Sequence, residues 1–423
     1  KKIILLIVAV AMLVAMPLGT ALAYQAMYGP TETVYLDESK AEDGYFLYAA
    51  KNTITYLIDK KGRVCHSWPA SGFRLIEDGQ LLANPSRGGT QTFRLYDWDG
   101  NLTWEWDPAT ADFHRSFNPH HDYERIYDPV TGEMTIIFVA RVNIPYDEAI
   151  AAGADPDCGL KEFDKDGNPN MAAATVGSVF EVNMDGEIVW YWTFWEHVVQ
   201  SYDPDGYVTL PDGITRSTYQ ATVEVNPDYL LDQRFRIQDF GRLDLNIDAQ
   251  QDTGLCPDWN HINSLSYNPV RDEIVINSRE YGEIYVIDHS LSAEQAYGPA
   301  GDFVYRWGNP ANYGMGLPPD WRGNGHEQLW GAHNIHWIPE GYPGGGHFLI
   351  FENGSQRVGY PTCSSSFEIN PYAGDVYTSD YVRQEDGGYN HDYGNLSNQV
   401  VWKWNTKTIS GWENGMYSGH ISG

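Results

Sequence analysis

One short pattern recurs along the chain and limits what it can fold into. An apolar strand leads into an Asp-x-x-Gly turn or its Asn counterpart, and a second strand follows that closes on Trp. The pattern occupies residues 56–68, 93–106 and 179–192. Looser copies run over 284–307 and 366–377, and Val400 to Trp404 echoes the closing strand. Turns of this kind between alternating strands are hairpin chemistry. Two tryptophans spaced by one residue share a face of an outer strand, where a neighbouring sheet packs on them.

A second hairpin lies between successive copies. It opens on His121, His261 and His333, and on Phe73 in an earlier unit. Two hairpins make a four-stranded sheet, and several such sheets around an axis make an all-β propeller. The spacing predicts six four-stranded blades over 45–423, with loop insertions at 143–176 and 196–256. The last blade is expected to be incomplete, or closed by the N-terminal strands. Gly 42, Pro 23 and 14% aromatic residues favour strands and tight turns over helices.

Residues 1–23 join two lysines, an apolar run and a small-residue ending at Ala23. This is the order of a secretory signal, the alternative being a retained hydrophobic segment. Residues 24–44 read as an extended lead-in. Export to the periplasm, the medium or the cell surface agrees with four cysteines, Cys65, Cys158, Cys256 and Cys363, that contain no CxxC pair. Cys158 and Cys256, both in Gly/Pro/Asp-rich loops, are the first choice for a disulfide, with the other pairings open. Lys and Arg number 27 against 57 Asp and Glu, a net charge of −30 that argues against nucleic acid as a partner. The Asp164 to Asn168 turn invites calcium, but it lacks the twelve-residue ligand pattern and reads by default as a solvated acidic loop. The expected cofactor set is therefore empty.

The chemistry concentrates at the heads of the second hairpins. His261 and Asn263 lie on one face of a strand, and Arg279 follows 279 − 261 = 18 residues later, after a turn that brings the chain back. His121 opens a similar segment that ends at Arg141, 141 − 121 = 20 residues on, and His333 opens a third that ends at Glu352. Three histidines at equivalent places in a radial repeat are expected to converge. Imidazole, amide and guanidinium at one rim can hold a tetrahedral oxyanion and move a proton near neutral pH. His120 and His336 are further pocket candidates, and Trp259 offers a face on which an aryl group can stack.

These residues, together with Gly331-Ala332-His333-Asn334, Phe351-Glu352-Asn353-Gly354 and the Trp-x-Trp repeats, resemble the arylsulfate sulfotransferases, a family of exported six-bladed propellers. The likeness covers nearly the whole chain from Tyr45. It implies transfer of a sulfuryl group from an aryl sulfate to a phenol through a sulfated histidine, without a nucleotide donor. By the same likeness His333 is the nucleophile, and His261, Asn263 and Arg279 hold the sulfate oxygens. His121 or His120 is a further pocket residue. This chain has Asn334 where the family more often has Asp. The rival reading is a non-catalytic propeller, an extracellular interaction or filament subunit that assembles through its apolar N-terminus.

Overall fold

The computed structural model describes residues 36–39, 41, 43–50, 54–72, 74–76, 79–83, 91–128, 131–151, 160–199, 243–244, 260–309, 327–354, 364–372 and 399–405. The chain divides into two compact units, Lys1–Ala109 and Thr110–Gly423. The first unit holds two sheets. One comprises β1 (Tyr45–Ala50), β2 (Ile54–Asp59) and β3 (Val64–Trp68). The other comprises β4 (Arg74–Leu75), β5 (Leu81–Ala83), β6 (Phe93–Tyr96) and β7 (Leu102–Trp106).

The second unit holds three four-stranded antiparallel sheets. They are β8 (Phe117–Tyr127), β9 (Met134–Ile144), β10 (Ala174–Asn183) and β11 (Ile188–Thr193); then β14 (Ile262–Asn268), β15 (Glu273–Ser278), β16 (Glu283–Asp288) and β17 (Tyr305–Trp307); then β18 (Ala332–Trp337), β19 (Phe348–Glu352), β20 (Ser365–Ile369) and β21 (Val400–Asn405). Between the first two lies a short parallel pair, β12 (Val198–Val199) and β13 (Leu243–Asp244). Helices α1 (Tyr146–Ala151) and α2 (Ala293–Tyr297) decorate the connections. The fold is an all-β propeller.

Five blades, not six, stand among the described residues, and the first has three strands. The last blade takes all four strands from residues 332–405, so the N-terminal strands, which pair among themselves, do not complete it. Its third and fourth strands are separated by residues 370–399. That insertion hides from a sequence pattern that 366–369 and 400–404 are two sides of one hairpin. The expected return strand at 375–377 lies outside the described residues, as do Trp259, Cys158, Cys256 and Cys363. Cys65 is a free thiol. No helix among the described residues is long and apolar enough to cross a membrane.

The turn chemistry explains why the pattern repeats. Asp97 accepts at Oδ1 from the Asn101 amide (2.7 Å), Asp59 from Lys61 and Arg63 (2.9 Å each), and Asn183 from Asp185 and Glu187 (3.1 and 2.9 Å). A side-chain oxygen thus satisfies turn amides that no strand can reach. The Gly three places on takes φ near 80°, 82° at Gly100 and 86° at Gly186, and the register slips by one residue beside it. Asp164 uses its carboxylate in the same way, accepting from Asp166 (2.8 Å) and Asn168 (2.9 Å).

Burial follows from a sheet's neighbours. Strands β14 and β15 are buried at every position because the blades on both sides cover them. They therefore read as a continuous apolar run, Ile274-Val275-Ile276, rather than an alternation. Between the last two blades Val275, Val286, Tyr305 and Trp307 meet Ile335, Trp337, Phe348 and Phe367. Each such side chain contributes about 1.5–3 kcal/mol. The paired tryptophans tie blades as well as fill them: Trp190 donates to the Leu291 carbonyl (3.0 Å) and Trp192 to that of Gly301 (2.8 Å).

Candidate active site

In the second unit each innermost strand opens on an irregularity. The register slips between Pro119 and Tyr123 in β8, between Ile262 and Ser264 in β14, and between His333 and His336 in β18. The backbone is left-handed at His121 (φ 58°), His261 (φ 35°), Gly331 (φ 65°) and Asn334 (φ 52°). A non-Gly residue held there costs about 1–2 kcal/mol. What the bulge provides is direction: it turns side chains out of the strict alternation of a strand.

The result is a cluster of four imidazoles from three blades. Ring centroids lie 5.0 Å apart for His121 and His261, 5.9 Å for His120 and His261, and 6.3 Å for His121 and His333. His120 and His121 meet through their Nδ1 atoms at 2.7 Å, so the two share one proton at that contact. Asn260, fully buried, accepts at Oδ1 from the Gly177 amide (2.7 Å) and at its carbonyl from Ser278 Oγ, which anchors the chain just before His261. Gly177 has no room for a side chain, since a Cβ there would stand 2.3 Å from Ile262.

His333 has its state fixed. Its Nδ1 donates to the Gly331 carbonyl at 2.9 Å, leaving the lone pair on Nε2. Burial, and then the Arg279 guanidinium and the neighbouring His261 ring, push its pKa down to about 4, against the contrary pull of the Gly331 bond. The ring is therefore a neutral base at neutral pH. The Asn353 side-chain amide lies 3.2 Å from the same Nδ1; because that nitrogen is protonated, the amide presents its oxygen there, which also gives a partner to an oxygen otherwise buried without one.

The three hairpin-opening histidines do not occupy equivalent stations, contrary to the sequence reading. The His261 carbonyl accepts from the Arg279 amide and the Gly331 carbonyl from that of Asn353 (3.1 Å each), while Asn118 stands opposite Arg141. His261 thus matches Gly331 and Asn118, and Arg279 matches Asn353 and Arg141. Further along, Asp122 Oδ2 accepts from Leu265 N (3.1 Å) of the next blade and Ser264 Oγ accepts from Ile335 N (2.9 Å) of the blade after. By this pattern His121, Asn263 and His333 share a station, and His261 sits two places earlier. A bulge shifts side chains without leaving a trace in residue spacing, so His-to-Arg counts alone could not reveal the offset.

Asn263 is 1% exposed and donates from Nδ2 to the Ala332 carbonyl at 2.8 Å, which fixes the chain beside His333. Arg279 donates from Nη1 to Glu280, which sets an acid beside the expected anion-holding group. Asn334 occupies the left-handed corner of the bulge, and His336 lies further along β18 with its Nδ1 3.2 Å from the Asn334 carbonyl. Arg141, which the sequence pattern marks only as the end of a hairpin, joins the site, and its spacing from His121 parallels that of Arg279 from His261. Its Nη2 lies 3.4 Å from His261 Nδ1.

Chemically, the cluster unites a neutral imidazole with its lone pair on Nε2, three further imidazoles, and guanidinium charge. The set suits transfer of an anionic group between oxygens by way of nitrogen. A family model described as Arylsulfotransferase (ASST) matches residues 162–378, that is 378 − 162 + 1 = 217 of 423 residues. No curated protein matches the chain. Among solved structures, hydrazine synthase of Kuenenia stuttgartiensis is similar at 11% identity and TM-score 0.34 over 72% of this chain and 64% of that one. Hsv2 of Kluyveromyces lactis is similar at 8% identity and TM-score 0.29 over 80% and 81%. The chain thus spans under two thirds of the length of the first of these.

Proposed function

The chain belongs to the arylsulfotransferase family, and from that premise we propose that it moves a sulfuryl group from an aryl sulfate to a phenolic acceptor through a sulfated His333, outside the cytoplasm and without a nucleotide donor. The observation that carries the reading is the His333 tautomer: Nδ1 is committed to the Gly331 carbonyl at 2.9 Å and the ring is neutral at working pH.

In the first displacement Nε2 attacks sulfur and the bond from sulfur to the aryl oxygen breaks. The departing phenolate takes a proton from a neighbouring imidazole, for which His121 is the nearest ring measured, at 6.3 Å. Because Nδ1 keeps its proton, the sulfated ring carries positive charge, which the Gly331 carbonyl stabilises and which makes Nε2 a good leaving group. In the second displacement the same imidazole removes the acceptor phenol's proton, the phenol oxygen attacks sulfur, and the bond to Nε2 breaks. Splitting the transfer in this way lowers each barrier. Arg279 and His261 meet the charge on the sulfuryl oxygens, where losing one positioned donor costs about 3 kcal/mol.

The test is release of phenol from an aryl sulfate by the purified protein in the presence of a second phenol, with His333→Ala as control. Release by the wild type and none by the variant is the expected result. No release by the wild type would favour a non-catalytic propeller.

A further inference from the structure

Arg141 and Arg279 hold the same station in successive blades, and each addresses an imidazole one blade on. Arg279 stands close enough to His333 to disfavour its protonation, and Arg141 Nη2 lies 3.4 Å from His261 Nδ1. A guanidinium has only donors. The ring nitrogen that faces it must therefore accept, which places the His261 proton on Nε2. His333 is the mirror case, with its proton on Nδ1 and its lone pair on Nε2. The two rings share the cluster through His121, at 5.0 Å and 6.3 Å.

We propose that Arg141 is a positioning residue that locks His261 in the Nε2–H tautomer, so that His261 offers a hydrogen-bond donor where His333 offers a lone pair. A sulfuryl group between the two then meets a nucleophile from one ring and a donor to its oxygen from the other. Were His261 to flip to Nδ1–H, its Nε2 lone pair would face the sulfuryl oxygens and repel them. Arg141 thus acts through His261 and needs no contact with substrate. The inference deepens the sulfotransferase reading, but its geometric half stands without it.

Two measurements separate those halves. Two-bond proton–nitrogen correlation spectra of protein labelled with 15N-histidine, assigned with His261→Gln, read the tautomer directly and need no substrate. The wild type should show His261 with a bare Nδ1 and a protonated Nε2. Arg141→Met should lose that pattern and lower kcat about tenfold, with KM for the aryl sulfate little changed. Arg141→Gln keeps a donor without the charge and should keep both the tautomer and most of the turnover. A protonated Nδ1 in the wild type, or an unchanged spectrum in a folded Arg141→Met, overturns the proposal. If Arg141→Met does not fold, the wild-type and Arg141→Gln spectra still decide it. A wild type that shows the expected tautomer yet releases no phenol would overturn the sulfotransferase reading and leave the tautomer lock standing.

Discussion

His333 donates from Nδ1 to the carbonyl oxygen of Gly331 across 2.9 Å, a bond between residues two apart that the left-handed turn at Gly331 makes possible. The ring's folded pKa is about 4, below the ordinary 6.5. Between these values the unfolded chain binds a proton that the folded chain refuses, so stability falls as pH drops from 6.5 to 4. Denaturant melts across that range should show the limb in the wild type and lose it in His333→Gln. In the pH profile of kcat/KM, the acid limb due to this ring should lie near 4, not near 6.5.

His289 behaves in the opposite sense. It lies between Asp272 (2.7 Å from Nδ1) and Glu181 (3.0 Å from Nε2), joining two blades. Burial pulls its pKa down, yet the hydrogen bonds to these two carboxylates lift it to about 9. Its contribution is fully present below 6.5 and is lost as pH rises through 9. His289→Gln removes the cation between buried Glu181 and partly exposed Asp272, which keep hydroxyl donors in Thr135 and Tyr267, and should cost about 1.5–3 kcal/mol by chemical denaturation. Turnover per folded molecule should be unchanged, since the ring takes no part in the proposed chemistry.

The blades were legible because Asp97, Asn183 and their counterparts must cap turns in the same way each time, and Trp190 and Trp192 must close the same outer edge. The histidines of the site were legible as residues but not as stations. His261 and His333 both open hairpins, yet the bulges set them two places apart, and backbone irregularity is not written in side-chain spacing. Asn263 reads as a ligand because an amide can hold an oxyanion; its bond to the Ala332 carbonyl, a partner far away in the chain, is not written in residue spacing. Arg141 stands, like Arg279, at the end of a hairpin opened by a histidine, but no His-x-Asn precedes it to mark its segment as a site.

Asn263→Ala should therefore act at a distance. The Ala332 carbonyl loses one of its two side-chain donors, keeping Asn277 Nδ2 at 2.9 Å, and its neighbour His333 loses a constraint. The expected cost is about 0.5–1.5 kcal/mol of stability. In steady-state kinetics kcat should fall more than KM rises; a change confined to KM would mean that the amide contacts substrate after all.

Arg279 is bonded to Glu280 through Nη1, so in the proposed mechanism Glu280 competes with the sulfuryl group for it. Glu280→Gln removes a carboxylate from the anion site. Inorganic sulfate should then bind about two- to tenfold more tightly at low ionic strength, with the gain fading at high salt. Isothermal titration at two salt concentrations reads this directly, and weaker binding would show that Glu280 is needed to orient the guanidinium.

The most direct test concerns the covalent intermediate. Protein mixed briefly with an aryl sulfate in the absence of acceptor, quenched under mildly basic conditions and digested, should yield one peptide heavier by a single sulfuryl group, with the label on Nε2 of His333. The label should vanish when a phenol is added before the quench and should be missing from His333→Ala. A label on any other residue, or phenol release by His333→Ala at the wild-type rate, would contradict the assignment of His333 as nucleophile.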